Sequence, residues 1–169
     1  VVVVCDATCL ERNLNLVLQT IEITPRTVVC VNLMDEAKKK KIHVDIGALS
    51  KQLGVPVTGA AARSGRGLDE LMDAVDAVTH DKATQADPVQ ILYAPAIEQA
   101  VALLEPPLRE CCGEKISSRW LALRLLEGEE ELIRSAQQYL GGPALKTPAV
   151  QEPLSQAREL LEQAGLTEQ

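Results

Sequence analysis

The run Val28-Val29-Cys30-Val31-Asn32-Leu33-Met34-Asp35 constrains this chain more than any other eight residues. An apolar strand runs directly into Asn-x-x-Asp. This order delivers an amide and a carboxylate to the carboxyl end of a strand, the edge where parallel α/β sheets bind ligands. The pair suits one purine in particular. Guanine presents two adjacent donors, the ring N1–H and the 2-amino group, and a single carboxylate such as Asp35 can accept from both. Adenine would turn a lone pair toward it. An amide such as Asn32 can donate to the purine N7 and also tie neighbouring loops together. A carboxylate left without donors costs kilocalories, and this makes such a position selective.

The flanking sequence alternates strand and helix. Val1 to Asp6 is expected to be a strand, and its opening run of four valines reads as a central strand buried on both faces. Leu10 to Ile23 is periodic in Leu14, Leu18 and Ile21, with Val17 beside them, and Thr24-Pro25 ends it. Thr27 to Asn32 is a second strand. Asp45 caps a helix carrying Ile46, Leu49 and Leu53, which stops at Gly54. Val55 to Thr58 is a third strand. Gly65-Arg66-Gly67 turns the chain into a helix from Leu68 to Val78, with Leu68, Leu71, Met72, Val75 and Val78 inward. Strands separated by helices imply crossovers and a parallel sheet.

Residues 79–90 are polar and end in Asp87-Pro88, the expected boundary between an α/β part (1–85) and a helical part (86–169). In the second part Ala94 to Leu104 reads as a helix broken by Pro106-Pro107. Ser117-Ser118 caps one containing Trp120, Leu123 and Leu126. Glu129 to Glu131 open one that runs to about Leu140 and stops at Gly141-Gly142-Pro143. Gln151 to Ala164 is the last. The fold class is thus a partial α/β domain followed by a small all-α bundle of four or five helices.

Composition narrows the function classes. Only 2% of residues are aromatic and Phe is absent, so stacking platforms for single-stranded nucleic acid are missing. Residues 1–85 carry 10 basic and 11 acidic side chains, and residues 86–169 carry 7 and 13. The second part, at −6, repels polyanions. Lys38 to Lys41 form the lone basic run and read as a solvated helix end or loop rather than a phosphate or lipid contact. Five cysteines without a CxxC spacing argue against a disulfide framework or a zinc site and favour a reducing compartment. His43 and His80 are isolated. Trp120 reads as a core anchor, and Glu129 to Glu131 as a solvated helix start rather than a metal site. Asp6 reads as a strand-end residue capping the turn that follows. Arg63 is equally a nucleotide contact or an exposed loop cation. No signal peptide is present, and no apolar run approaches the roughly 20 residues needed to span a bilayer. No Gly-x-x-x-x-Gly-Lys-Ser/Thr occurs, so no phosphate cradle is expected here, and the chain reads as a piece of a longer protein.

Four segments carry a resemblance: Asp6-Ala7-Thr8-Cys9-Leu10-Glu11-Arg12-Asn13-Leu14, Asn32-Leu33-Met34-Asp35-Glu36-Ala37, Leu53-Gly54-Val55-Pro56-Val57 and Ala62-Arg63-Ser64-Gly65-Arg66-Gly67-Leu68. Together they resemble the cytosolic G-protein region of bacterial ferrous iron transporters, the FeoB family. Tyr93 to Glu98 and Ser118 to Glu127 resemble the helical domain that follows the G domain in that family. The resemblance implies a P-loop GTPase fold, cut so that residues 1–85 are its carboxyl-terminal half. It implies GTP and GDP as ligands, with the phosphates and Mg²⁺ held by an amino-terminal part outside these residues, so that this piece alone does not hydrolyse GTP. Asn32 and Asp35, with Leu33 and Met34 between them, map onto the guanine-reading motif. Ala61, Ala62 and Arg63 map onto the last guanine loop, where the Ala62 N–H would meet guanine O6. Leu33 stands where many GTPases place Lys, and Ala61 where they place Ser. The helical part resembles a domain proposed to slow nucleotide release and relay nucleotide state to a membrane permease. The implied setting is the cytoplasmic face of the bacterial inner membrane, with this segment soluble, no nucleic acid partner and a homo-oligomer among the expected assemblies. Two other readings stand beside it: a ribosome-assembly-type GTPase fragment and a non-enzymatic protein-interaction module.

Overall fold

A computed structural model describes residues 1–80, 88–113, 116–142 and 144–166. Asp87 and Pro143, used above as a boundary and a helix stop, lie outside the described residues. The chain forms two compact units, Val1–Ile91 and Leu92–Gln169.

The first unit is built on three parallel strands, β1 (Val2–Asp6), β2 (Val28–Asn32) and β3 (Val57–Gly59), in the order β1-β2-β3. In register, Val3 pairs with Val29, and Val29 with Val57. Helix α1 (Leu10–Ile23) crosses from β1 to β2. Two helices, α2 (Met34–Lys39) and α3 (Ile46–Leu53), cross from β2 to β3, and α4 (Leu68–Thr79) follows. Val3, Cys5, Val29, Val31 and Val57 form one buried face with Val17, Ile21, Ala37, Leu53 and Val55. Helix α4 packs on β2 and β3. With helices on both its faces, β2 buries Val28 to Val31. Burying four such side chains supplies roughly 6–12 kcal/mol before entropy is charged. Asp45 caps α3 by accepting from the Ala48 N–H at 2.9 Å, and Gly54 closes it in the left-handed conformation.

Three expectations are corrected here. Among the described residues β1 lies at the side of the sheet rather than at its centre: Val3 is buried, and Val2 and Val4 are 41% and 59% exposed. Among the described residues α1 packs on one face of β1, and α4 lies over its neighbours rather than over it. Met72 is 64% exposed. At about 100° per residue the half-buried arc of α4 runs through Leu68, Leu71, Val75 and Val78, and Met72 lies beyond its edge. In α1 the centre of the stripe is Val17, fully buried, with Leu14 and Leu18 at its margin.

The second unit comprises α5 (Pro95–Cys112), α6 (Ser118–Glu127), α7 (Glu130–Leu140) and α8 (Pro148–Gln163), with a 3₁₀ turn at Ala144–Lys146. Pro106-Pro107 does not break α5. Two prolines remove two backbone donors, a cost of several kilocalories in an isolated helix. Here Val101, Leu104, Leu108 and Cys112 lie on one fully buried stripe, and α5 packs along both α6 and α8. Tertiary packing outweighs the local penalty. Burial raises the Cys112 thiol to about 11, with Cys111 beside it adding to the effect. Ser117 caps α6, accepting from the Trp120 N–H at 3.2 Å. Trp120 lies half-buried against the core, whose fully buried line in α6 is Leu121, Ala122 and Leu125. Glu130 and Glu131 occupy the first turn of α7. Among the described residues no group of three His, Cys, Asp or Glu side chains is placed to hold a metal ion. No described helix is long and apolar enough to cross a membrane.

One polar clamp holds the start of this unit. Glu98 accepts from both terminal nitrogens of Arg119, at 2.9 and 2.7 Å, and from the Tyr93 N–H at 2.8 Å. The guanidinium also lies 6.0 Å from the Tyr93 ring centre. Arg119 and, next, the Tyr93 N–H hold the Glu98 carboxyl below the usual glutamate range. A depressed carboxylate stabilises the fold above its unfolded pKa, and that contribution disappears as pH falls through its folded pKa. Glu98→Gln is therefore expected to lower the melting temperature at pH 7. At a pH below the folded pKa of Glu98 the variant and the parent should converge, which thermal melts followed by circular dichroism across pH will check.

Candidate functional site

The carboxyl edge of the sheet gathers the residues singled out in the sequence. β2 ends at Asn32, and the next residue, Leu33, adopts the left-handed conformation (φ 62°) before α2 begins at Met34. Asp35 thus lies in the first turn of α2, where the helix dipole favours a negative charge. It is half-buried, and among the described residues nothing donates a hydrogen bond to its carboxylate. That leaves its acceptor positions open to a ligand.

The loop after β3 stands beside it. The sheet ladder continues past the strands: the Ala60 N–H donates to the Val31 carbonyl at 2.8 Å, and the Met34 N–H to the Ala60 carbonyl at 3.1 Å. The Ala62 N–H donates to Asn32 Oδ1 at 3.1 Å. Asn32 therefore joins the two loops through its side chain. Ala62, Arg63 and Ser64 form a single 3₁₀ turn. Ala60 and Ala61 are buried, while Ala62 and Arg63 are exposed. The backbone N–H of Ala62, which the resemblance assigns to guanine O6, is engaged by Asn32 in this arrangement.

Three further supports of the site emerge from the fold. Helix α2 is six residues long and lacks an apolar period. The Ala61 N–H donates to the Arg66 carbonyl at 2.9 Å, closing the loop on itself. Gly67, at φ +82°, passes so close to β3 that a Cβ there would lie 2.1 Å from the Gly59 carbonyl oxygen. A Cβ on Gly59 would in turn touch Met34 and Ile46 at 3.4 Å. Asp6, at the end of β1, accepts from the Thr8 N–H at 2.7 Å, and this bond is the first cause of its lowered pKa. It closes the turn rather than capping α1, whose N-cap residue is Cys9. The four lysines at 38–41 are exposed, and Lys39 pairs with Glu36 at 2.7 Å.

Two known protein families match the two units of the chain. The family model for ferrous iron transport protein B matches residues 1–75, and that for the FeoB cytosolic helical domain matches residues 93–168. The chain belongs to the FeoB family. Among FeoB relatives, the Fe(2+) transport protein A/FeoB fusion protein of Porphyromonas gingivalis is 36% identical over 133 residues, which is 78% of this chain and 16% of the relative. The chain thus spans about a sixth of the length of that relative. Among solved FeoB structures, the cytosolic domain of the T. maritima transporter in a GDP form is 26% identical with a TM-score of 0.64, covering 96% of this chain and 63% of that one. The same domain in its GMPPNP form gives 26% and 0.64, covering 96% and 65%.

Proposed function

We propose that this chain carries the base-reading half of a GTPase domain together with the helical regulatory domain of a ferrous iron transporter. The observation that carries the reading is the 3.1 Å bond from the Ala62 N–H to Asn32 Oδ1, which locks the two loops of the site together beside an open Asp35 carboxylate.

In this reading Asp35 accepts from guanine N1–H and the 2-amino group, and Asn32 donates its amide to N7. Leu33 and Met34 pack against the base, with Leu33 supplying only apolar contact where other GTPases lay a lysine stem. O6 competes with Asn32 for the Ala62 N–H, and Arg63 flanks the base at the exposed rim. The phosphates and Mg²⁺ are held by another part of the longer protein, because these 169 residues contain no phosphate-cradling glycine loop. The T. maritima relatives in their GDP and GMPPNP forms support a guanine nucleotide as the ligand. Hydrolysis or exchange then biases the helical unit, which relays the state to the membrane part from the cytoplasmic face. The acidic helical half supports a protein or membrane-protein partner over RNA.

Fluorescent GDP titrated into the complete cytosolic part of the longer protein tests this. GTP is expected to displace the probe and ATP is not, and the 169-residue chain alone is expected to show no GTP hydrolysis. Displacement by ATP as readily as by GTP would remove the reading.

A further inference from the structure

We propose that Asn13, in the first turn of α1, is a positioning residue for the base-reading loops. The proposal rests on the guanine site described above and extends it to a residue that does not line it. Asn13 Oδ1 accepts from the Asp6 N–H at 2.8 Å. The next backbone amide, Ala7 N–H, donates to the Asn32 carbonyl at 2.9 Å. Asn32 in turn holds the Ala62 N–H through its own Oδ1. These bonds form a relay from α1, through the end of β1, to the strand-end loop and then to the last loop.

The geometry gives the relay leverage. Residues 6–8 are fixed at each step: Asn13 holds the Asp6 amide, the Asp6 carboxylate holds Thr8, and Ala7 is 2% exposed. Asn32 is thereby gripped on its main chain by β1 and on its side chain by the loop it orients. An amide side chain suits position 13 because its oxygen accepts without bringing a second negative charge near Asp6. Removing that acceptor leaves the half-buried Asp6 N–H unpaired, and the end of β1 is then free to shift to recover a partner. Asn32 and Asp35 move with it. The hydrogen bonds of a ligand to Asp35 depend on tenths of an ångström, so recognition at the base weakens before the sheet does.

A loss of stability and a loss of positioning are separated by comparing GDP with inosine diphosphate. Inosine lacks the 2-amino group and forfeits one of the two Asp35 bonds. A general loss of folded protein weakens both ligands equally, whereas a displaced Asp35 weakens GDP more. In the complete cytosolic part of the longer protein, the parent is expected to prefer GDP over inosine diphosphate by about tenfold or more. Asn13→Ala is expected to reduce that preference to less than about threefold. Asn13→Ser, whose hydroxyl is too short to reach Asp6, should do the same. Asn15→Ala, on the exposed side of α1, should leave the preference at the parent value. An undiminished preference in Asn13→Ala, an equal weakening of both ligands, or failure of both Asn13 variants to fold would overturn the proposal and leave the guanine site standing. A parent that does not distinguish the two ligands, or GDP from ATP, would remove the guanine site itself.

Discussion

Asp35→Asn in the complete cytosolic part is expected to weaken GDP at least 100-fold and to make xanthosine diphosphate the better ligand. In the proposed site the carboxylate accepts two hydrogen bonds from guanine. A bond to a charged group contributes about 1.5–3 kcal/mol; the variant loses one such bond outright, removes the charge from the other and sets donor against donor, which together reach the roughly 2.7 kcal/mol that a hundredfold change requires. An asparagine keeps one acceptor, for N1–H, and turns an N–H₂ toward the 2-amino group, so donor faces donor. Xanthine carries a carbonyl oxygen at that carbon. The new amide then meets an acceptor, and the ligand lost to guanine is regained by xanthine. Competition of both diphosphates against one fluorescent probe measures the exchange. A variant that still prefers GDP would mean that Asp35 does not face the base.

The second large effect is expected at Gly67. Gly67→Ala places a Cβ 2.1 Å from the Gly59 carbonyl oxygen and 3.0 Å from the Ala60 Cα, on backbone atoms that cannot rotate aside. The residue also sits at φ +82°, where a side chain costs about 1 kcal/mol before any collision. Relief requires β3 and the loop bearing Ala61 to Arg63 to move away from α4. The first unit is expected to lose about 3 kcal/mol or more, seen as a lowered urea midpoint, and GDP binding should fall with it. Gly65→Ala is the control. It has a similar φ of +76° but nothing within 4 Å of the added carbon, so only about 1 kcal/mol should be lost. Equal losses at the two positions would show that the close approach to β3 contributes little.

What the sequence revealed and what it hid follow from the range of the forces involved. Leu10 to Ile23 and the Asp45-to-Gly54 helix were legible to the residue, because amphipathic period and capping are local. So was the ability of Asn32 to tie two loops, since it is a property of an amide at a strand end. Helix α2 was not visible, because its six residues include adjacent lysines and no apolar stripe. The continuation of α5 through Pro106-Pro107 was not visible either, because it depends on a buried stripe matched to α6 and α8. The contribution of Asn13 belongs to the same class. Its motif segment was conspicuous, but the relay runs through the backbone of β1 and appears only when β1 and β2 are paired.

The most direct measurement is a crystal structure of the complete cytosolic part with GDP bound. Guanine N1 and N2 are expected within hydrogen-bond distance of the Asp35 carboxylate and N7 beside the Asn32 amide, with O6 facing the backbone at Ala62. A base seated anywhere else on the chain, with Asp35 left facing solvent, would contradict this placement.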